Sequence, residues 1–259
     1  MSIKHQMRLE MRLVGDTAFT IVFDELEGAA GARAIRQMCD RLGRAQATGR
    51  FPEVVDLIPA TRSLTVCLEP GVTDEDALKD DLLSVAMADD DDTGSEIRLW
   101  ELPACYDMSP GSQWSPDLIE VSEQIGLSVE DIIACHSGEL YDVLLIGFLP
   151  GFPFLGTLPE ALRLPRRKSP RTRVPPGSIA MANDQTAIYP WESPGGWHLL
   201  ARCPVPLFDA GWKSPCLLSP GDKVRFIPTS VEDLQTITAE LLSGNMMAQD
   251  FAQPCEGFD

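Results

Sequence analysis

Hydrophobic and polar positions divide this chain into stretches of different rhythm. Residues 8–23, RLEMRLVGDTAFTIVF, alternate loosely and break at Gly15-Asp16, which predicts two strands around a turn. From Gly28 to Ala47 the apolar residues Ala30, Ala34, Ile35, Met38 and Leu42 return at helical spacing, so an amphipathic helix is expected. Residues 51–70, FPEVVDLIPATRSLTVCLEP, read as two more strands joined near Pro59-Ala60-Thr61, and a second helix is expected from Thr73 or Asp74 to about Met87. Strand-strand-helix-strand-strand-helix suits a small α/β sandwich over residues 1–88. The run ADDDDTGSE that follows cannot bury itself, and 89–96 is predicted to be an acidic linker.

The second half opens with a strand in EIRLWELPACYD, residues 96–107. Ser115-Pro116 offers an N-cap with proline at the first helical position, and Gly126 closes that helix. Ser128 and Asp131 bracket the start of another helix ending near His136-Ser137-Gly138, where His136 reads as a cap that suits the helix dipole. Beyond Tyr141 come short alternating strands punctuated by Gly and Pro: YDVLLIGF, GSIAMA, TAIYP, WHLLA and KVRFI. That pattern predicts a β-barrel or barrel-like sheet within residues 97–229, with Asn183-Asp184 as a tight hairpin turn. Ser230 and Asp233 cap a last helix to about Leu242, and Asn245 to Asp259 reads as a loose tail, so 230–259 forms a helix and tail.

Composition narrows the function. Hydrophobic residues are 44% and charged residues 23% of 259, as in ordinary globular proteins. The apolar stretch from Val143 to Leu155 is broken by Gly and Pro and is not a membrane span, and the N-terminus lacks a signal-peptide core. Seven scattered cysteines without CxxC spacing suit reduced thiols, so a cytoplasmic location is expected. A net charge of −18, from 39 acidic and 21 basic residues, opposes nucleic acid and anionic membrane, and neither is expected as a partner.

Against that field RLPRRKSPRTR, residues 163–173, stands out with five arginines, one lysine and no acid. It is either a solvated loop that balances nearby acids or a site for a carboxylate or phosphate, which arginine's planar fork grips bidentately. GFLPGFPFLGTLP (147–159) is an aromatic loop pinned by Pro and Gly, whose residues enter the core or wall a pocket. VPPGS (174–178) is either a plain turn or a nest of backbone N–H groups beside the arginines. No nucleotide-binding motif is present, the three histidines lack the company a metal site needs, and no catalytic group can be assigned. A triad of Ser178, His136 and Asp209 finds no support in the spacing.

YDVLLIGFLPGFPFLGTLP, LPRRKSPRTRVPPGSIAMANDQTAIYPWESPGGW and PVPLFD closely resemble the family of the sporulation-kinase inhibitor KipI, which includes allophanate hydrolase subunit 1 and the B subunit of 5-oxoprolinase. GDTAFTIVF and VVDLIPATRSLTV resemble the family's first domain more loosely. The resemblance implies an α+β protein: a small N-terminal α/β domain followed by a cyclophilin-like β-barrel. It implies a KipA-like partner and, in 5-oxoprolinase, a third LamB/YcsF-like subunit, together opening 5-oxoproline to glutamate at the expense of ATP. ATP would be shared with the complex. A carboxyltransferase acting with biotin and an inhibitor of a histidine kinase are the alternatives. Matching positions include Phe148, Pro150, Phe152, Arg166, Arg171, Gly177, Ser178, Thr186, Tyr189, Gly195, Gly196 and Trp197, while Asn183-Asp184, Ala187 and Ala201-Arg202-Cys203, which stands where the family usually has Gly-Arg-Thr, depart from the family pattern. On a barrel these residues would wall a groove for 5-oxoproline, with Arg166, Arg171 and the Gly177-Ser178 turn at its anionic end.

Overall fold

The structure is a computed structural model that describes residues 9–23, 28–72, 75–88 and 97–253. The expected helix start at Thr73 or Asp74, the linker 89–96 and the last six residues lie outside them. The chain divides into two compact units, Met1–Glu96 and Ile97–Asp259.

In the first unit β1 (Leu9–Leu13), β2 (Ala18–Phe23), β4 (Ser63–Leu68) and β3 (Val54–Pro59) form an antiparallel sheet in the order β1-β2-β4-β3. The period of two in β2 and β4 buries Phe19, Ile21, Phe23, Leu64, Val66 and Leu68 on one face. Ile35, Met38 and Leu42 of α1 (Gly28–Ala47) and Leu82 of α2 (Glu75–Ala86) share that core. The strand and helix assignments for this half are as the hydrophobic pattern predicts, within the described residues.

The second unit is a closed barrel. Its strands are β5 (Leu99–Cys105), β6 (Tyr141–Ile146), β7 (Pro153–Gly156), β9 (Ser178–Ala182), β10 (Gln185–Ile188), β12 (His198–Arg202) and β13 (Lys223–Thr229). They run β12-β9-β10-β7-β6-β13-β5 and close where Arg202 pairs with Cys105. β13 lies parallel to β5, and the hairpin β9–β10 turns at Asn183, whose φ of 55° is the left-handed conformation the sequence suggests. Two short strands, β8 (Arg171–Val174) and β11 (Ser193–Gly195), pair as a ribbon apart from the barrel sheet. Helices α3 (Leu118–Ile125), α4 (Val129–Gly138) and α5 (Val231–Ser243) complete the unit.

Three expectations are corrected. The tail is not loose throughout: residues 248–251 form a 3-10 turn, and β14 (Ala252–Gln253) pairs with Trp100 and Leu99 of β5. Ser115 does not cap α3, because its hydroxyl donates to the Asp107 carbonyl at 2.7 Å, and the helix starts after Asp117. His136 is no exposed cap. Its ring is fully buried and stacks on Phe226 at 4.9 Å between centroids.

The ring's hydrogen bonds fix its tautomer. Thr186 Oγ1 donates to the Ala180 carbonyl at 3.0 Å, so toward His136 it accepts, and the proton sits on Nε2 at 3.0 Å. Nδ1 then accepts from the Tyr106 hydroxyl at 2.6 Å, while the Tyr141 hydroxyl donates to the His136 carbonyl at 2.9 Å. No place is left for a second ring proton, and burial pushes the His136 pKa down to about 3.

A histidine neutral in the fold and protonated when unfolded contributes stability above its unfolded pKa, near 6.5, and loses it as pH falls toward about 3. Unfolding free energy from urea titrations should therefore fall by up to about 1.4 kcal/mol per pH unit between about pH 6 and 4 on account of this group. His136→Gln should flatten that slope. An unchanged slope would mean that the ring is not held neutral.

Candidate functional site

Asp117 gathers the basic segment. It lies at the start of α3, 1% exposed, and its carboxylate accepts from Arg171 Nη1 at 2.9 Å and Nη2 at 2.5 Å, from Arg167 Nη1 at 3.1 Å and from the Leu199 N–H at 2.7 Å. Arg167 Nη1 also reaches Glu120 at 3.0 Å, and its backbone N–H donates to Gly196 at 2.8 Å. Arg173 forks onto Glu192 at the surface. The arginine run is thus largely a loop that balances acids: Arg167, Arg171 and Arg173 are each paired with a carboxylate, and Arg171 is not free to meet a ligand. Arg166 is exposed and sits over Trp197, 6.0 Å from the ring centroid.

The two aromatic loops close on one another instead of walling an open groove. Phe152 is buried and lies edge-on to Tyr189 at 5.1 Å, Trp197 at 6.3 Å and Phe148 at 5.4 Å between centroids. The floor beneath them is Ala180, Ala182 and Ala187, the outward residues of β9 and β10, while Ile179, Met181 and Ile188 point into the barrel. Small residues outside and large ones inside are what let a second aromatic core stand on the barrel wall. Gly195 belongs to this packing, since a Cβ there would run into the Tyr189 hydroxyl. Phe148 stays 66% exposed with φ of 69°, a conformation disfavoured for a bulky residue. The Pro150 carbonyl accepts from Trp191 Nε1 at 3.0 Å, which ties the two loops together.

Three further expected groove residues are placed elsewhere. Thr186 is inside the barrel on His136. The Gly177 N–H donates to the Tyr189 carbonyl at 2.7 Å, and the Ser178 N–H and hydroxyl both donate to the Pro175 carbonyl. The turn is a plain turn with its donors used. Gly177 is required there because φ is 76° and a Cβ would strike the Cys203 carbonyl.

An open site does lie next to that turn. Gly177 and Tyr189 line a cleft of about 480 Å³ together with Trp114, the Cys203–Leu207 segment and the inner face of α5. Arg202, at the end of β12, is the charged residue of its lining. Its guanidinium donates to the carbonyls of Pro176 at 3.0 Å and Gln113 at 3.3 Å and lies over the Trp114 ring at 5.5 Å. Arg202 was not among the site residues expected from the sequence. The available signal was a lone cation closing the otherwise apolar strand WHLLA. Tyr189 is shifted upward by burial, and Arg166 and Arg171 draw it partly back.

Among the described residues the six cysteines are free thiols, no group of His, Cys, Asp and Glu is arranged to hold a metal, and no helix is long and apolar enough to cross a membrane. Burial pushes the Cys203 thiol up to about 12 and the Cys105 thiol up to about 11, so neither is a ready nucleophile.

A closed seven-stranded barrel in one unit and a small helix-covered sheet in the other make an α+β protein of the kind found in the K. lactis urea amidolyase structure. That structure superposes with a TM-score of 0.73 over 92% of this chain and 16% of its own, at 18% identity, a likeness of fold. The chain belongs to the family of the carboxyltransferase domain, subdomain C and D, whose family model matches residues 9–218. It is 36% identical to the B subunit of 5-oxoprolinase from Escherichia coli O157:H7 over 222 residues, covering 85% of this chain and 96% of that protein. The crystal structure of TTHA0988 is 37% identical with a TM-score of 0.70 over 82% of this chain, and this chain spans only 40% of it.

The carboxylate at position 117 is expected to be worth far more than the surface pair. Asp117→Asn should destabilise by about 3–5 kcal/mol, because it leaves the guanidinium of Arg171 partly buried without a counter-charge and that of Arg167 with only the exposed Glu120. Arg173→Ala, which breaks the exposed pair with Glu192, should leave stability nearly unchanged. Urea unfolding of both variants at neutral pH measures the difference.

Proposed function

We propose that this chain is the B subunit of an ATP-dependent 5-oxoprolinase, opening 5-oxoproline to glutamate with a KipA-like and a LamB/YcsF-like subunit. The observation that carries the reading is the 36% identity to a 5-oxoprolinase B subunit that extends over 96% of that protein. The chemistry is hydrolysis of a five-membered lactam. Its amide is stabilised by resonance, so opening it against that stability is reasonably coupled to ATP.

The site geometry supports a divided labour. Three arginines of the basic segment are neutralised by Asp117, Glu120 and Glu192, and the Gly177-Ser178 turn has spent its amides. Three of the five arginines of that segment are thus taken up by carboxylates, which favours the nucleotide being held by the partner subunits. Within the groove expected from the sequence, Arg166 is the residue left to meet a substrate carboxylate, with the Trp197 face below it. Phe148 and Trp191, 66% and 46% exposed on the tied loops, are the natural ground for a partner subunit to cover.

A second reading, a carboxyltransferase acting on carboxybiotin with a biotin-dependent partner, is favoured by the family description. The two are separated by ATP-dependent glutamate release from 5-oxoproline, measured on the chain reconstituted with both expected partners and with each left out. Release requiring all three supports the 5-oxoprolinase reading. In that complex Arg166→Gln should raise KM for 5-oxoproline about tenfold or more with the fold intact. No release from folded, associated subunits would sink the reading and favour carboxyl transfer.

A further inference from the structure

We infer that the cleft between the Pro176-Gly177 turn and α5 is a binding site for a small monocarboxylate with an apolar body, which Arg202 would hold by its charge. The ligand class rests on the 5-oxoprolinase reading, but the site is distinct from that of Arg166.

Charge is the first argument. The chain carries 39 acidic residues against 21 basic ones, yet the lining of this cleft contains no acid and one guanidinium. The arginines of this unit's basic segment end on carboxylates or at the open surface. Arg202 does neither: it is half-buried and its hydrogen-bond partners are two backbone carbonyls. Carbonyl oxygens orient a guanidinium and leave its charge uncompensated, and burial lowers the Arg202 pKa, the mark of a cation short of a counter-ion.

Donor accounting is the second argument. A guanidinium has five N–H donors, and the two hydrogen bonds to Pro176 and Gln113 use two of them. Those two are one on each terminal nitrogen, so Nη1 and Nη2 each keep a second N–H, and a carboxylate is the acceptor that would meet them while neutralising the charge.

Shape and rigidity are the third. The guanidinium is pinned by two hydrogen bonds and by the indole of Trp114, so little side-chain entropy remains to be lost on binding. Leu234 and Ala239 of α5 and Val205 supply apolar walls, and about 480 Å³ lies within the range of small-molecule sites. A cation at one point of an apolar cleft selects for a ligand whose charge is confined to one end. A polyanion or a zwitterion would bury charge against those walls.

The test is a titration of the full chain with L-5-oxoproline, with cyclopentanecarboxylate and with the neutral lactam 2-pyrrolidinone, read by tryptophan fluorescence and by NMR shifts. Both carboxylates should bind saturably, and the lactam about tenfold more weakly or not at all. Arg202→Met should abolish binding. Because that change also frees the Pro176 turn, Ala239→Trp serves as a second variant, filling the cleft from α5 without touching Arg202, and it should abolish binding too. Arg173→Ala, at the surface pair with Glu192 and outside the cleft lining, should leave it unchanged. Equal binding of lactam and carboxylate, binding retained in Ala239→Trp, or loss in Arg173→Ala alone would overturn the inference. A complex that releases glutamate while its isolated chain binds no carboxylate through Arg202 would sink this inference alone. Carboxylate binding through Arg202 in a chain whose complex releases no glutamate would sink the 5-oxoprolinase reading alone.

Discussion

One carboxylate arranges the outer face of the barrel. Asp117 is almost wholly buried, and its two oxygens hold a backbone amide of β12 and the guanidinium groups of Arg167 and Arg171. A buried anion is stable only if its lone pairs are met and its charge is matched, and here both conditions are satisfied by residues about fifty and eighty positions away in sequence. The consequence spreads outward. Fixing Arg167 fixes its amide on Gly196, which positions Trp197, and Trp197 with Phe152 and Tyr189 closes the aromatic core over the alanine floor. The same loop leaves Arg166 standing over that indole.

Local rules and long-range pairing account for what the sequence could and could not tell. Helix and strand positions were legible because periodicity is a property of neighbours: Phe19, Ile21 and Phe23 declare a strand on their own. The closed barrel was legible from its many short strands and from the family resemblance. The partners of the arginines were not. Asp117 carries no mark in its own surroundings, and Pro116 before it suggested only a helix start. His136 misled for the same reason, since a histidine in the last turn of a helix looks like a cap until Tyr106 and Thr186 arrive from distant parts of the chain. β14 is two residues long and has no pattern to read.

The expected groove illustrates a further limit. Its residues do converge, with Phe152, Tyr189, Gly195 and Trp197 in one cluster, so the loops' aromatic content was a sound guide to proximity. It was a poor guide to openness. Whether aromatic side chains line a space or fill it depends on what lies beneath, and three alanines on β9 and β10 give them a surface to fill. The open space formed one turn away, against α5, where the sequence offered the stretch PVPLFD and a single cation.

The place of β13 in the barrel has a consequence for how the chain acquires its shape. The strand comes after nearly all the others in sequence, yet it sits between β6 and β5, antiparallel to one and parallel to the other. Until residues 223–229 are inserted, both of those strands present an open hydrogen-bonding edge and the barrel is a split sheet. Such late, long-range closure makes folding of this unit slow and all-or-none, and a nascent chain halted short of that strand would be the form most in need of a chaperone.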